Sequence, residues 1–259
     1  MSTFASPAGW TRRSVLGGLL TVPVAGLVNG CAPTSTNEHG GSDGRIALVY
    51  RGPAGCAGCS EILAERLSRP PLGLDVAFIG PREQVPLEAS ALSGAALYAQ
   101  PGGGDDIGGA AQSFPSDFIR GLRDYIATGG SYLGICMGAY LAGSEGFGLL
   151  DYSVEGEVSV PGFPVEDSSD QVVAVTWGET LRWTYFQEGA RLPADGAEEY
   201  AHYETGDLAA AYYRCGDGNV GLIGPHPEVD VTWFEDADLV DPDGDDWQYA
   251  LPLVKRILS

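Results

Sequence analysis

Apolar and polar positions alternate along the chain in two distinct rhythms. Arg45-Ile-Ala-Leu-Val-Tyr50 is a short, nearly continuous apolar run, as expected of a parallel strand covered on both faces. Leu74–Ile79, Ala95–Ala99 and Ser131–Ile135 repeat the pattern. Between them the period changes to that of a helix. Ile62, Leu63 and Leu67 share one side of Ser60–Leu67, and Phe118, Ile119, Leu122, Tyr125 and Ile126 recur at spacings of three and four, before Gly129-Gly130 stops the helix. Strand and helix in alternation predict a parallel sheet with right-handed crossovers, whose ligands bind at the carboxyl ends of the strands. The Gly-rich loops after Tyr50, Ala99 and Ile135 fall at that edge.

Beyond Gly143 the rhythm becomes that of strands separated by turns. Leu149–Val160, Gln171–Trp177, Leu181–Gln187, Glu198–Tyr203, Leu208–Cys215 and Asn219–Gly224 are the predicted strands, with a hairpin turn at Gly216-Asp-Gly-Asn219. A loop from Glu235 to Asp246 then precedes a closing helix, Trp247–Leu258. The loop's aspartates resemble a calcium-loop composition but lack its order and terminal glutamate, so a solvated loop is the reading adopted.

The N-terminal residues read as targeting sequence. Thr11-Arg-Arg-Ser-Val-Leu16 is a twin-arginine pattern, and the apolar run from Val15 to Val28 ends at Asn29-Gly-Cys31, a lipoprotein-type cleavage box. The expected organisation is a signal segment over 1–30, a flexible tether over 31–44 and one domain over 45–259. Cys31 is the expected lipidation site. The protein is then exported by the twin-arginine route and held at the outer face of the cell membrane; an uncleaved anchor or plain secretion is the alternative. His39 lies in the tether and has no role in this reading. The formal net charge of −21, from 35 acidic and 14 basic residues, argues against nucleic acid as a partner.

The chemistry concentrates in Ser131-Tyr-Leu-Gly-Ile-Cys-Met-Gly-Ala-Tyr-Leu-Ala-Gly143. A strand runs into Gly134-x-Cys136-x-Gly138 and then a helix, which is a nucleophile elbow carrying cysteine. Glycines free the turn of side chains, and the helix N-terminus favours a thiolate at Cys136. A cysteine that merely fills a core gap is the competing reading. Downstream, Pro225-His-Pro-Glu228 places two side chains on one face of an extended segment. Glu228 can hold the His226 imidazole in one tautomer while the other ring nitrogen faces a thiol, which makes Cys136, His226 and Glu228 a candidate triad. Cys56-Ala-Gly-Cys59 precedes a predicted helix and reads as a structural disulfide, a redox pair, or a pair whose state shapes the neighbouring pocket. Cys215 and His202 carry no assigned role.

Together, Val49-Tyr-Arg-Gly-Pro53, Pro101-Gly-Gly-Gly-Asp105, Gly129–Cys136, Tyr185-Phe-Gln-Glu-Gly189, Ala201-His-Tyr203 and Gly224-Pro-His-Pro-Glu228 resemble the class I glutamine amidotransferase superfamily. More narrowly, they resemble the amidotransferase-like domain at the N-terminus of large biotin–protein ligases, which also occurs as stand-alone proteins. The resemblance implies an α/β fold, a three-layer flavodoxin-like parallel sheet, with additional strands in the second half. It implies Cys136, His226 and Glu228 at the site, with oxyanion donors from the amide of Met137 and the Gly102–Gly104 loop, Gly103 and Gly104 above all. Gly52, Pro53, Tyr140, Tyr185, Gln187 and Glu188 would line the pocket; for Tyr185, Gln187 and Glu188, ordinary cross-strand packing is an equal alternative.

One departure matters. Glutamine-hydrolysing members carry Gln two residues after the second elbow glycine, where this chain has Tyr140. Glutaminase activity is therefore not expected, and the chain leaves no room for a biotin-ligase catalytic domain or an ammonia-using synthetase. The expected activity is that of a thiol hydrolase on a small amide or acyl substrate, with no metal or organic cofactor. A binding module that keeps the fold without turnover is the second reading, and a redox protein centred on Cys56 and Cys59 the third.

Overall fold

The computed structural model describes residues 44–259. The predicted signal segment 1–30, the lipidation site Cys31, His39 and all of the tether but Gly44 lie outside the described residues. Among those described, no helix is long and apolar enough to cross a membrane.

Five parallel strands form the first part of a nine-stranded sheet: β1 (Ile46–Tyr50), β2 (Asp75–Ile79), β3 (Ala95–Gln100), β4 (Ser131–Ile135) and, late in the chain, β11 (Gly218–Ile223). Their spatial order is β2-β1-β3-β4-β11, in which the direction of winding reverses between β1 and β3. That is the flavodoxin-like order, and its binding crevice lies outside the carboxyl ends of the strands. Helices α1 (Cys59–Ser68), α2 (Ile107–Gln112), α3 (Ser116–Ala127), α4 (Met137–Ala142) and α6 (Trp247–Ile257) cover the two faces, while α5 (Val231–Asp236) follows β11. Alternation along β1 divides the core. Ala47 and Val49 face Leu63 and Leu67 of α1 and Leu253 and Ile257 of α6. Leu48 and Tyr50 face the opposite layer, with Phe118, Leu122 and Ile126 of α3. An apolar run at every position of a strand is what burial on two sides requires.

Beyond β11 the sheet continues antiparallel through β10 (Leu208–Cys215), β9 (Ala197–Tyr203), β6 (Gln171–Trp177) and β7 (Thr180–Phe186). These are the additional strands expected in the second half. The segment predicted as one strand over Leu149–Val160 differs. Only β5 (Glu155–Gly156) pairs, with β8 (Ala190–Arg191), in a separate two-stranded sheet. The N–H groups of Leu149 and Leu150 both donate to the Ala142 carbonyl, which turns the chain back onto α4 instead of extending it. Helix α5 was not predicted; the Asp230 carboxylate caps it by accepting from the Thr232 N–H at 3.0 Å. The acidic loop after it is held to the protein by Arg182, whose guanidinium binds Asp246 at 2.8 Å and the carbonyls of Asp243 and Gly244.

Candidate active site

Cys136 stands at the end of β4, one residue before α4, with φ 50° and ψ −108°. A non-glycine residue with positive φ is strained, and such strain persists only where the surroundings enforce it. Here the enforcement is backbone packing. A Cβ on Gly134 would lie 2.4 Å from the Gly138 carbonyl oxygen, and one on Gly138 would lie 2.1 Å from that of Gln100. The elbow therefore closes only with glycine at both positions. The Cys136 N–H donates to the Ile223 carbonyl at 2.8 Å, tying the elbow to β11.

The chain leaves β11 through Gly224 and Pro225 and delivers His226 to the same edge. His226 and Glu228 are both almost wholly buried. Nδ1 of His226 lies 2.9 Å from Oε1 of Glu228. Burial by itself would depress the histidine. The charge of Glu228, and then that of Cys136, outweighs it and holds the imidazolium well above the ordinary histidine range. The position of the ring is fixed from several sides. The His226 N–H donates to the Tyr185 carbonyl at 2.9 Å, the Tyr185 ring meets the imidazole edge-on, and Trp233 of α5 stacks on it with centroids 6.2 Å apart. Arg66 of α1 donates to the carbonyls of Glu228 at 2.8 Å and Val229 at 2.9 Å, and pairs with Asp245 at 2.6 Å.

A cavity of about 380 Å³ opens over Cys136, bounded by Gly103, Gly104, Met137, Tyr140, Gln187 and Glu188, with Asp105 among its further lining residues. The N–H groups of Gly103 and Gly104 have no acceptor among the described residues, and that of Met137, at the first position of α4, has none within its helix. The sulfur of Cys136 lies 3.5 Å from the Gln187 carbonyl oxygen. Tyr140 donates its hydroxyl to the Glu188 carbonyl at 2.8 Å, and Glu188 itself has φ 47°. Burial pushes the Tyr140 phenol far up, and burial followed by the charge of Asp105 raises Glu188.

The structure thus brings Cys136, His226 and Glu228 together, and gathers Gly103, Gly104, Met137, Tyr140 and Gln187 around the same cavity. Gly52, Pro53 and Tyr185 do not line it. The turn closed by Gly55 N–H on the Gly52 carbonyl carries Gly52 to a separate outer hollow, beside Cys56 and Glu83. Pro53 borders that hollow and also a smaller one that shares Gly104, Asp105 and Met137 with the main cavity. Tyr185 points inward and supports His226 instead of facing the cavity. Cys56 and Cys59 are joined as a disulfide. The free cysteine Cys215 donates to the Leu149 carbonyl, and His202 pairs with Glu199, both away from Cys136. Glu188, expected at the pocket from its motif, does line the cavity. Sequence reasoning missed Asp105, Arg66 and Trp233 as contributors. Asp105 lies within one of the family-like motifs, which was the available signal; Arg66 and Trp233 had none.

Residues 47–158 match the family described as Biotin-protein ligase, N terminal. Among solved structures, a glutamine amidotransferase superposes with a TM-score of 0.51 at 18% identity, covering 71% of this chain and 91% of that one. A candidate GMP synthase component from Thermoplasma acidophilum also gives 0.51 at 18% identity, covering 82% of this chain and 94% of its own. Curated protein sequences contain no match. The fold and topology are of the class I glutamine amidotransferase-like type.

Proposed function

We propose that the protein is a cysteine-dependent hydrolase of a small amide or other acyl compound, in which Cys136, His226 and Glu228 act as a triad. The observation that carries this reading is the elbow: a strained cysteine at a helix N-terminus, in charge interaction with a buried imidazole that a carboxylate holds at 2.9 Å. The Cys136 thiolate attacks the acyl carbon, and the N–H groups of Met137, Gly103 and Gly104 receive the developing oxyanion. His226 gives its proton to the departing amine or alcohol, leaving a thioester. His226 then takes a proton from water as the water attacks the thioester, the carboxylic acid departs, and the Cys136 thiolate is restored. Glu228 orients the ring.

Tyr140 favours a substrate other than glutamine. Its hydroxyl is committed to the Glu188 carbonyl, so it fills space where a glutamine side chain would offer amide contacts. The test is covalent trapping with p-nitrophenyl acetate. A gain of one acetyl group on Cys136, seen by peptide mass spectrometry and lost in Cys136→Ala, supports the hydrolase. Acetylation elsewhere only, or none, leaves the fold as a binding module.

The proposal includes export and a lipid on Cys31, supported by the twin-arginine pattern at Thr11–Leu16 and the box ending at Cys31. Mass spectrometry of the mature N-terminus decides this, and an unmodified Cys31 would contradict it.

A further inference from the structure

The Cys56–Cys59 disulfide is packed against the catalytic edge. The Cys56 N–H donates to the Gly102 carbonyl at 2.9 Å. A Cβ on Gly102 would lie 3.3 Å from the Cys59 sulfur and 2.7 Å from Cε1 of His226, so the disulfide and the imidazole flank the same glycine. One residue on, a Cβ on Gly103 would lie 2.5 Å from the Ala54 carbonyl oxygen and 2.9 Å from the Met137 side chain. The Ala54–Cys59 loop is therefore the outer support of the Gly102–Gly104 loop, in which Gly103 and Gly104 line the cavity with Cys136. The two sulfurs are unequal in access. Cys59 is fully buried at the first position of α1, and Cys56 is only half-buried, beside an open hollow of about 470 Å³.

We propose that this disulfide is an exchange-active site for dithiols, entered at Cys56, and that its state sets the position of the Gly102–Gly104 loop. An external thiolate attacks the Cys56 sulfur, forming a mixed disulfide and releasing Cys59 as a thiolate at the helix N-terminus, where backbone N–H groups stabilise it. The second thiol of the same reagent attacks the mixed disulfide, leaves as an intramolecular disulfide, and frees Cys56. The protein disulfide gains two electrons and two protons, and the dithiol loses them. With the bridge open, the Cys56–Gly102 hydrogen bond is no longer braced, and the amides of Gly103 and Gly104 lose their fixed direction. The part of this inference that concerns turnover rests on the hydrolase reading, while the exchange and the loop movement do not.

The test uses the full chain, oxidised, reduced with dithiothreitol and desalted, and reoxidised. Amide NMR resonances of Gly102, Gly103 and Gly104 should shift on reduction and return on reoxidation, while those of the β1 core stay in place. In Cys59→Ser, the Cys56 thiol should form a mixed disulfide with glutathione disulfide; in Cys56→Ser, the buried Cys59 should not. Hydrolysis of p-nitrophenyl acetate should fall at least about tenfold on reduction, part of the roughly 10²–10³-fold that loss of an oxyanion donor costs. Alkylation of Cys136 by iodoacetamide, which needs no oxyanion donor, should stay unchanged. Unmoved glycine amides, or mixed disulfides forming at Cys59 and not Cys56, would overturn the inference. If the oxidised protein does not hydrolyse the ester at all, the hydrolase reading fails, while the amide shifts still decide this one.

Discussion

Gly102 shows how little room the site leaves at the scale of single residues. A methyl group there would press on the His226 ring from a position 2.7 Å from Cε1. Gly102→Ala should displace the imidazole and lower Cys136 reactivity by up to about 10²-fold, the cost of a misplacement near 1 Å. The loss of stability should stay at about 1–3 kcal/mol, typical of an overpacked site. Comparing alkylation kinetics with a denaturant titration of the same variant separates the two effects. His226 also predicts a pH dependence of stability. Its folded value is raised, so the folded state binds the proton more tightly than the unfolded chain does. The contribution is fully present below the unfolded value of about 6.5 and is lost as pH rises through the higher folded value. Stability of the wild type relative to His226→Gln should therefore decline as pH is raised above about 6.5. A difference that grows with rising pH would contradict the assignment.

At the scale of elements, the site is an agreement between strand ends. β3 presents the glycine loop, β4 Cys136 and β11 the His226 imidazole, and α1 fastens the segment that follows β11 through Arg66. Arg66→Ala would leave the carbonyls of Glu228 and Val229 without their donor, at a cost of about 1–3 kcal/mol. It should also slow Cys136 alkylation by loosening His226, and urea unfolding measured beside alkylation tests both. The parallel strands and the elbow were legible because both-face burial leaves uninterrupted apolar runs, and because Gly134 and Gly138 have no substitute in so tight a turn. Leu149–Val160 misled because its alternation of apolar residues serves α4 and the core rather than a ladder; Leu149 and Leu150 are tied to Ala142. Helix α5 was hidden by its shortness and by the acidic residues that follow it. With it went Trp233, which α5 folds back onto His226, seven residues earlier in the chain.

At the scale of the whole molecule, a flavodoxin-like half supplies the reactive edge, and an antiparallel extension supplies the wall. The β7 end brings Gln187 and Glu188 over Cys136, and Tyr140 locks that wall to α4. The three-layer fold was readable from the order of elements, and the walls of the cavity only in part, since the same motifs that marked Gln187 and Glu188 also marked Gly52 and Tyr185, which the turn at Gly52–Gly55 and the inward packing of Tyr185 on His226 keep off that surface. The formal net charge of −21 makes long-range repulsion a property of the entire chain. Raising salt from about 0.1 M to 1 M shortens the screening length from about 10 Å to about 3 Å. The melting temperature should rise over that interval, and a fall would mean that ion pairs such as Arg66–Asp245 outweigh the repulsion.

The central claim is that Cys136 and His226 act as one reactive unit. The most direct measurement is the rate of Cys136 alkylation by iodoacetamide as a function of pH, resolved by peptide mass spectrometry from that of Cys215, in the wild type and in His226→Gln. A coupled pair predicts a wild-type rate that stays nearly level down to about pH 6, and a variant rate that falls roughly tenfold per unit below about 8.5, as for an ordinary thiol. Two superimposable profiles, both following the ordinary thiol, would contradict it.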